Sequence, residues 1–384
     1  METDRIKLTL RSSSEIPMSC WQFQEFINNI NKGYIKLDLI NEISKILNKG
    51  EKPKNIIIIN RSYEINNKYK YLKHTDEYDL SSSIGVERLY NLGQVQSMYP
   101  NEKIIKIRVV FKLYEKLFKI FHKTRKIKFI PKSYLKNYIF LTFDEIIAEF
   151  KKEVDRIILN IPNEYTKEKK ELNNKCKKIL EKVEKEVEKY NCDKKDIELF
   201  KLICKKNFKD MNEDEKSVFK NIDKNYFTDF FEIFKKIERP IILIYNEEKN
   251  NMKLIRKEYM QNDYKNKNFL DYKDYSHNSP FVISLIAGIS IIYIWWLLYD
   301  GGKQEKLMFE EDKEINCLKE ELECEEKKLF AEKIKREQLS NIDNLEDSYV
   351  KYKILSINNK ITKNLANTLK SNGVENAKIS SDDK

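Results

Sequence analysis

Glycine, proline, cysteine and histidine are all scarce in this chain of 384 residues, at eight, seven, six and three. The glycines are Gly33, Gly50, Gly85, Gly93, Gly288, Gly301, Gly302 and Gly373, and they do not fall at the fixed offsets a phosphate cradle needs. That excludes a P-loop and a dinucleotide fingerprint. The three histidines, His74, His122 and His277, are isolated, so the commonest general base is in short supply, and neither GxSxG nor HExxH occurs. The sequence names no catalytic, cofactor-binding or metal-ligating residue, and no cofactor is expected.

The cysteines, Cys20, Cys176, Cys192, Cys204, Cys317 and Cys324, form no CxxC pair and are too scattered for a disulfide framework or a zinc site. They read as reduced thiols. Cys317 and Cys324 are seven apart, about 10.5 Å along a helix, which leaves them able to bridge only to other chains. A secretory signal is not expected either, because the apolar run in Met1–Leu10 is short and interrupted by charge. Glu2 excludes N-myristoylation, and the end SSDDK is neither a prenylation box nor a retention signal.

What the chain does have is charge and apolar bulk: 35% charged, 41% hydrophobic and 12% aromatic residues. With so little glycine and proline, that balance predicts a mostly helical protein. Lys, Asn and Ile dominate, as an AT-rich coding sequence would produce, so the net charge of +11 is weak grounds for a nucleic-acid partner. The charge is uneven. Residues 1–278 hold 57 Lys and Arg against 43 acids, and residues 300–384 hold 16 against 19.

The longest uncharged run is PFVISLIAGISIIYIWWLLY, Pro280 to Tyr299. Twenty residues of helix at about 1.5 Å each match a hydrocarbon core of about 30 Å, which predicts a single transmembrane helix and a lipid bilayer as partner. Trp295, Trp296 and Tyr299 are placed as interfacial anchors, and Ser284 and Gly288, four apart, as a small face for membrane-helix packing. The expected localisation is integral and single-pass, in the endomembrane system or the mitochondrial inner membrane. The N-terminal part is expected on the cytosolic or matrix side.

Before that run, Ile6–Leu10, Asn55–Asn60 and Lys103–Phe111 read as strands, and Trp21–Ile30 with Leu37–Leu47 as helix. A small N-terminal α/β domain, β-grasp-like, is expected over 1–113. Apolar stripes at helical spacing, Phe143 to Ile161, Ile179 to Tyr190 and Phe219 to Ile237, predict a helical bundle over 114–240. A polar linker (241–279), the membrane helix (280–299) and a charged helical tail (300–384) complete the expected organisation. In that tail Met308, Ile315, Leu318, Leu322 and Leu329 form the seam of a partial coiled coil, with Glu311, Glu325 and Glu332 at the other core positions.

A basic cluster, Lys119, Lys123, Arg125, Lys126, Lys128, Lys132 and Lys136 among Phe129, Tyr134 and Tyr138, has the mixture that single-stranded nucleic acid would need. A solvated or lipid-facing surface is the preferred reading, and nucleic acid is not the expected partner. The function expected is that of a membrane-anchored scaffold or assembly protein acting through protein contacts of its C-terminal helix, with homo-oligomerisation open. The alternatives are an accessory subunit of a transport or respiratory assembly in the mitochondrial inner membrane, and an enzyme with its site in the N-terminal α/β domain.

Overall fold

The computed structural model describes residues 6–12, 19–60, 76–123, 128–162, 165–203, 206, 210–224, 228–257, 270–276, 282–287, 340–342, 345 and 348–381. They cluster into two compact units, one of residues 52–257 and one that combines 1–51 with 258–384.

The 52–257 unit is built on a five-stranded antiparallel sheet. Its centre is the isoleucine run β2 (Ile56–Ile59), buried at all four positions. Such a run satisfies a strand covered on both faces, where β-branched side chains pack well. On one side β2 pairs with β4 (Val95–Ser97), and on the other with β5 (Ile242–Asn246). Beyond β5 lie β6 (Asn251–Leu254) and then β3 (Glu77–Asp79), giving the order β3-β6-β5-β2-β4. The β5–β6 turn puts Asn250 at φ 47°, a conformation asparagine tolerates.

Seven α-helices are among the described residues of this unit: α2 (Ser83–Leu92), α3 (Glu102–Lys123), α4 (Leu135–Tyr138), α5 (Phe143–Leu159), α6 (Thr166–Ile203), α7 (Glu213–Ile222) and α8 (Thr228–Lys236). The 38-residue α6 is the strut. It buries Leu172, Cys176, Leu180, Val183, Val187 and Tyr190 along one stripe, continued by Ile197 and Phe200, and leaves its lysines and glutamates in water. Ion pairs Lys112–Glu186 and Glu102–Lys194 set α3 antiparallel to α6. Phe143 meets Tyr190 at 5.5 Å between centroids, and Phe219 meets Phe200 at 5.1 Å, which seats α5 and α7 on the same strut.

Residues 103–111 are helical, which corrects the strand expected there. Asn101 Oδ1 accepts from the Lys103 amide at 3.1 Å and starts α3. The buried set Ile107, Val110, Phe111, Tyr114, Leu117 and Phe121 then keeps helical spacing over about four turns. Nine residues rich in Ile and Val mimic a strand, whereas the full 22 do not.

In the other unit a four-stranded antiparallel sheet has the order β7-β8-β1-β9, from β1 (Ile6–Ser12), β7 (Asp271–Ser276), β8 (Val282–Ala287) and β9 (Val374–Ser381). Leu8 and Leu10 of β1 are fully buried and alternate with half-exposed Lys7 and Thr9. Two helices complete the described part, α1 (Cys20–Asn48) and α9 (Ser348–Ser371).

This sheet overturns the membrane helix expected over 280–299. Residues 282–287 are a strand, with Leu285 opposite Leu8 and Ser284 opposite both Thr9 and Asp274. Five apolar residues of six, three of them β-branched, serve equally for a membrane helix and a buried strand, and the hydrogen bonds that β1 supplies decide between them. Among the described residues no helix is long and apolar enough to cross a membrane. The fold is therefore mostly helical with antiparallel sheet. The single transmembrane helix, and with it the single-pass integral localisation in the endomembrane system or mitochondrial inner membrane, is corrected. Gly288, Trp295, Trp296 and Tyr299 lie outside the described residues, as does the coiled-coil seam Met308, Ile315, Leu318, Leu322 and Leu329.

Two helical glycines are required by close approach. A Cβ on Gly85 would stand 2.0 Å from the Asp79 carbonyl oxygen, a backbone atom that cannot step aside. On Gly33 it would stand 2.4 Å from Cδ2 of Leu365, a side chain that can turn. An alanine in a helix ordinarily stabilises by about 1 kcal/mol relative to glycine. Gly85→Ala is instead expected to destabilise by about 1–3 kcal/mol, and Gly33→Ala by less. Thermal unfolding of both variants checks the order, and a stabilised Gly85→Ala would contradict the packing described.

Candidate functional site

A cleft lies between α1 and α9. α1 begins at a capping box, in which Ser19 Oγ accepts from the Gln22 amide at 3.2 Å and Gln22 Oε1 accepts from the Ser19 amide at 2.9 Å. Near the other end of α1, Asn48 Nδ2 donates to the Asn341 carbonyl at 2.7 Å, and Asn341 Nδ2 donates to Asn41 Oδ1 at 3.2 Å. Residue 341 precedes α9, while Gly33, further back in α1, touches Leu365 near the α9 C-terminus. The two helices therefore run antiparallel. α9 ends where Gly373 takes φ 63° and donates its amide to the Lys370 carbonyl at 3.0 Å.

The cleft opens beside the Gly33 contact and holds about 400 Å3. Its floor is Gly33, Ile361 and Leu365, and its walls are Asn29, Lys32 and Lys36 from α1 and Asn364, Asn367 and Thr368 from α9. On α1 the wall residues fall at i, i+3 and i+7, a single helical face, and Asn364 and Asn367 are likewise three apart. The Thr368 hydroxyl donates to the Asn364 carbonyl at 2.9 Å, so its proton is already committed. Ammonium groups, carboxamides and an apolar floor supply recognition. Among the described residues that line the cleft there is no carboxylate, imidazole or thiol.

Of the membrane-helix and coiled-coil residues singled out from sequence, only Ser284 lies among those described, and it sits in β8 rather than on a membrane helix. In the basic cluster Arg125 and Lys126 fall outside the described residues, and Lys119 is ion-paired with Glu115. Lys132 Nζ donates to Asn91 Oδ1 at 3.2 Å and lies 5.3 Å from the Tyr90 ring centroid. Phe129 and Tyr138 are buried, which leaves Tyr134 as the cluster's exposed ring. The cleft residues were not picked out from sequence. Their signals are a lone glycine inside the helical run of α1 and the composition of α9, which has five lysines and no acid.

Among the described residues no group of three or more His, Cys, Asp or Glu is placed to hold a metal ion. Burial pushes the Cys176 thiol up to about 12, which removes its nucleophilic form at neutral pH. Lys103 is the perturbed cation. Its Nζ donates to the Ile139 carbonyl at 3.1 Å and stands 3.7 Å from the Phe140 centroid, but burial and then the neighbouring Lys106 outweigh both and push it down to about 8.

No protein-family model matches this chain, and neither a curated protein nor a solved structure is significantly similar to it.

The Lys103 shift makes stability depend on pH with a defined sign. The unfolded chain holds this proton up to the ordinary value of 10.5, whereas the folded chain releases it near 8, so the unfolded state binds more protons in between. Stability contributed by this group therefore rises from about pH 8 to about pH 10. Above that window Tyr138 and Tyr190, both pushed up to about 12 by burial, reverse the trend. Lys103→Met should flatten the rise. Urea midpoints measured across the window for both proteins check this, and identical pH profiles would contradict it.

Proposed function

We propose that this chain is a non-catalytic scaffold or assembly protein that acts through protein–protein contacts, with the α1/α9 cleft as a contact site. The observation that supports it is the cleft's lining. Catalysis by general acid–base or nucleophilic chemistry needs a group that can carry a proton or a lone pair to a substrate near neutral pH, with a partner to tune it. Asn29, Asn364 and Asn367 do not titrate, Thr368 has no base beside it in the lining, and Lys32 and Lys36 are flanked by these amides. Such a surface holds a ligand without transforming it.

The 52–257 unit is braced by helices joined lengthwise, α6 packing against α3, α5 and α7.

Affinity capture of the full-length chain from its native source, followed by native-mass measurement, tests the reading. A complex with protein partners in fixed ratio is expected. A chain recovered alone at monomer mass, together with turnover of a small molecule, would overturn it.

A further inference from the structure

We propose that the α3/α6 face of the 52–257 unit binds the phosphate backbone of a nucleic-acid duplex without reading its sequence. The face is made by spacing. Lys112, Lys116, Lys119 and Lys123 fall at i, i+4, i+7 and i+11 of α3, and Lys175, Lys178 and Lys182 at i, i+3 and i+7 of α6, so each helix carries one row of ammonium groups. The Lys112–Glu186 bridge joins the rows at one end. One turn further along α3, Lys116 lies within reach of the Lys182 charge. Continued antiparallel, the register brings Lys123 level with Lys175, and the paired rows run for about 16 Å.

Composition alone does not produce this face. Elsewhere in the unit a helical lysine is commonly neutralised by a glutamate three or four residues before it, as in Glu102–Lys106, Glu149–Lys152, Glu198–Lys201 and Glu213–Lys216. Lys116, Lys123, Lys178 and Lys182 have another lysine at that offset instead. The acids around them are few. Glu186 is taken by Lys112 and Glu115 by Lys119, Glu171 lies one turn beyond Lys175, and Glu181 lies round α6 on the side away from α3. Lys123, Lys175, Lys178 and Lys182 are exposed and Lys116 is half-buried, and none of the five is ion-paired to an acid among the described residues. Burial, and then the Lys112 charge, hold the Lys116 ammonium below the usual lysine range; Lys182 adds to this, and Glu186 and Glu115 do not offset it. A bound polyanion would relieve that repulsion.

The rest of the face selects among polyanions. A helix that docks on lipid carries large apolar side chains to insert, and single strands are held by exposed rings on which bases stack. Among the described residues no large exposed apolar side chain lies on α3, and those of α6, Leu199 and Leu202, lie about five turns beyond Lys182. Phe118 and His122 stack on each other at 5.5 Å on the flank of α3 away from α6. Base edges are read by an element that enters a groove, and two helices packed side by side present a broad face instead. Phosphates remain as the group to hold. At a rise of 3.4 Å per base pair, the lysine rows span about five base pairs.

The test uses the full chain and a short fluorescein-labelled DNA duplex, followed by anisotropy as salt is raised, with a single strand of the same length, polyglutamate and phosphatidylserine vesicles as comparisons. The duplex is expected to bind, unrelated sequences alike, with log affinity falling against log salt at a slope of about −4 to −5, as five lysines on phosphates would give. Lys178→Glu/Lys182→Glu is expected to lose about tenfold or more in affinity and to reduce the slope by about 2, roughly one for each phosphate contact removed. Lys178→Arg/Lys182→Arg should preserve both. Lys170→Glu/Lys177→Glu, the same charge change on the face of α6 away from α3, is expected to leave the slope unchanged. Circular dichroism confirms that each variant is folded. Equal loss in both charge-reversal pairs would reduce the effect to net charge and overturn the proposal. So would absence of duplex binding, or tighter binding of the single strand, polyglutamate or the vesicles with the same dependence on Lys178 and Lys182.

Discussion

Gly33 and Leu365 set the geometry on which the candidate site depends. The backbone of α1 passes so close to this leucine that a single added methyl would overlap three of its side-chain atoms, and Leu365 would have to turn to make room. The close crossing gives the cleft its floor and brings two lysines of one helix opposite the amides of another more than 300 residues later in the chain. At the far end, Asn41, Asn48 and Asn341 tie the same pair by hydrogen bonds, which fixes the antiparallel direction. Between the ends, Tyr34, Leu37, Ile357 and Ile361 are among the buried apolar residues of the pair, each worth roughly 1.5–3 kcal/mol of transfer free energy when fully buried.

The 52–257 unit depends on a different device. Its sheet is short-stranded, and β3 and β4 have only three residues each, so cohesion comes from α6 and the helices along it. The exposed ion pairs there contribute little individually, on the order of 0–1 kcal/mol. Pairs such as Lys112–Glu186 set register more than stability, while the aromatic contacts Phe143–Tyr190 and Phe200–Phe219 supply buried area along the C-terminal half of the strut.

Local periodicity made the helices legible in the sequence. Phe143, Ile146, Ile147, Phe150, Val154, Ile157 and Ile158 all read as one stripe, and all are buried in α5. The Ile179–Tyr190 pattern falls inside α6, and the isoleucine run at 56–59 is a strand as expected. The failures share a cause. Residues 103–111 look like a strand because a nine-residue window of Ile and Val cannot display a period of 3.6. Residues 282–287 look like part of a membrane helix because their partner strand is some 275 positions earlier, and no local pattern announces it. The cleft was illegible for the same reason. Lys32 and Asn364 are ordinary surface residues until α1 and α9 pair. A helix with five lysines and no acid could have drawn attention earlier, but lysine abundance throughout the chain masks it.

The antiparallel α1/α9 pair is the claim on which the functional reading stands, and its most direct test is short-reach amine cross-linking of the full chain at low concentration, read by mass spectrometry. Lys32 and Lys36 border the cleft on one side and Lys360 extends its opposite wall. The account predicts intramolecular links from Lys36 to Lys360 within monomeric protein. Links that join Lys45 to Lys370 in their place would reverse the helix direction and contradict it.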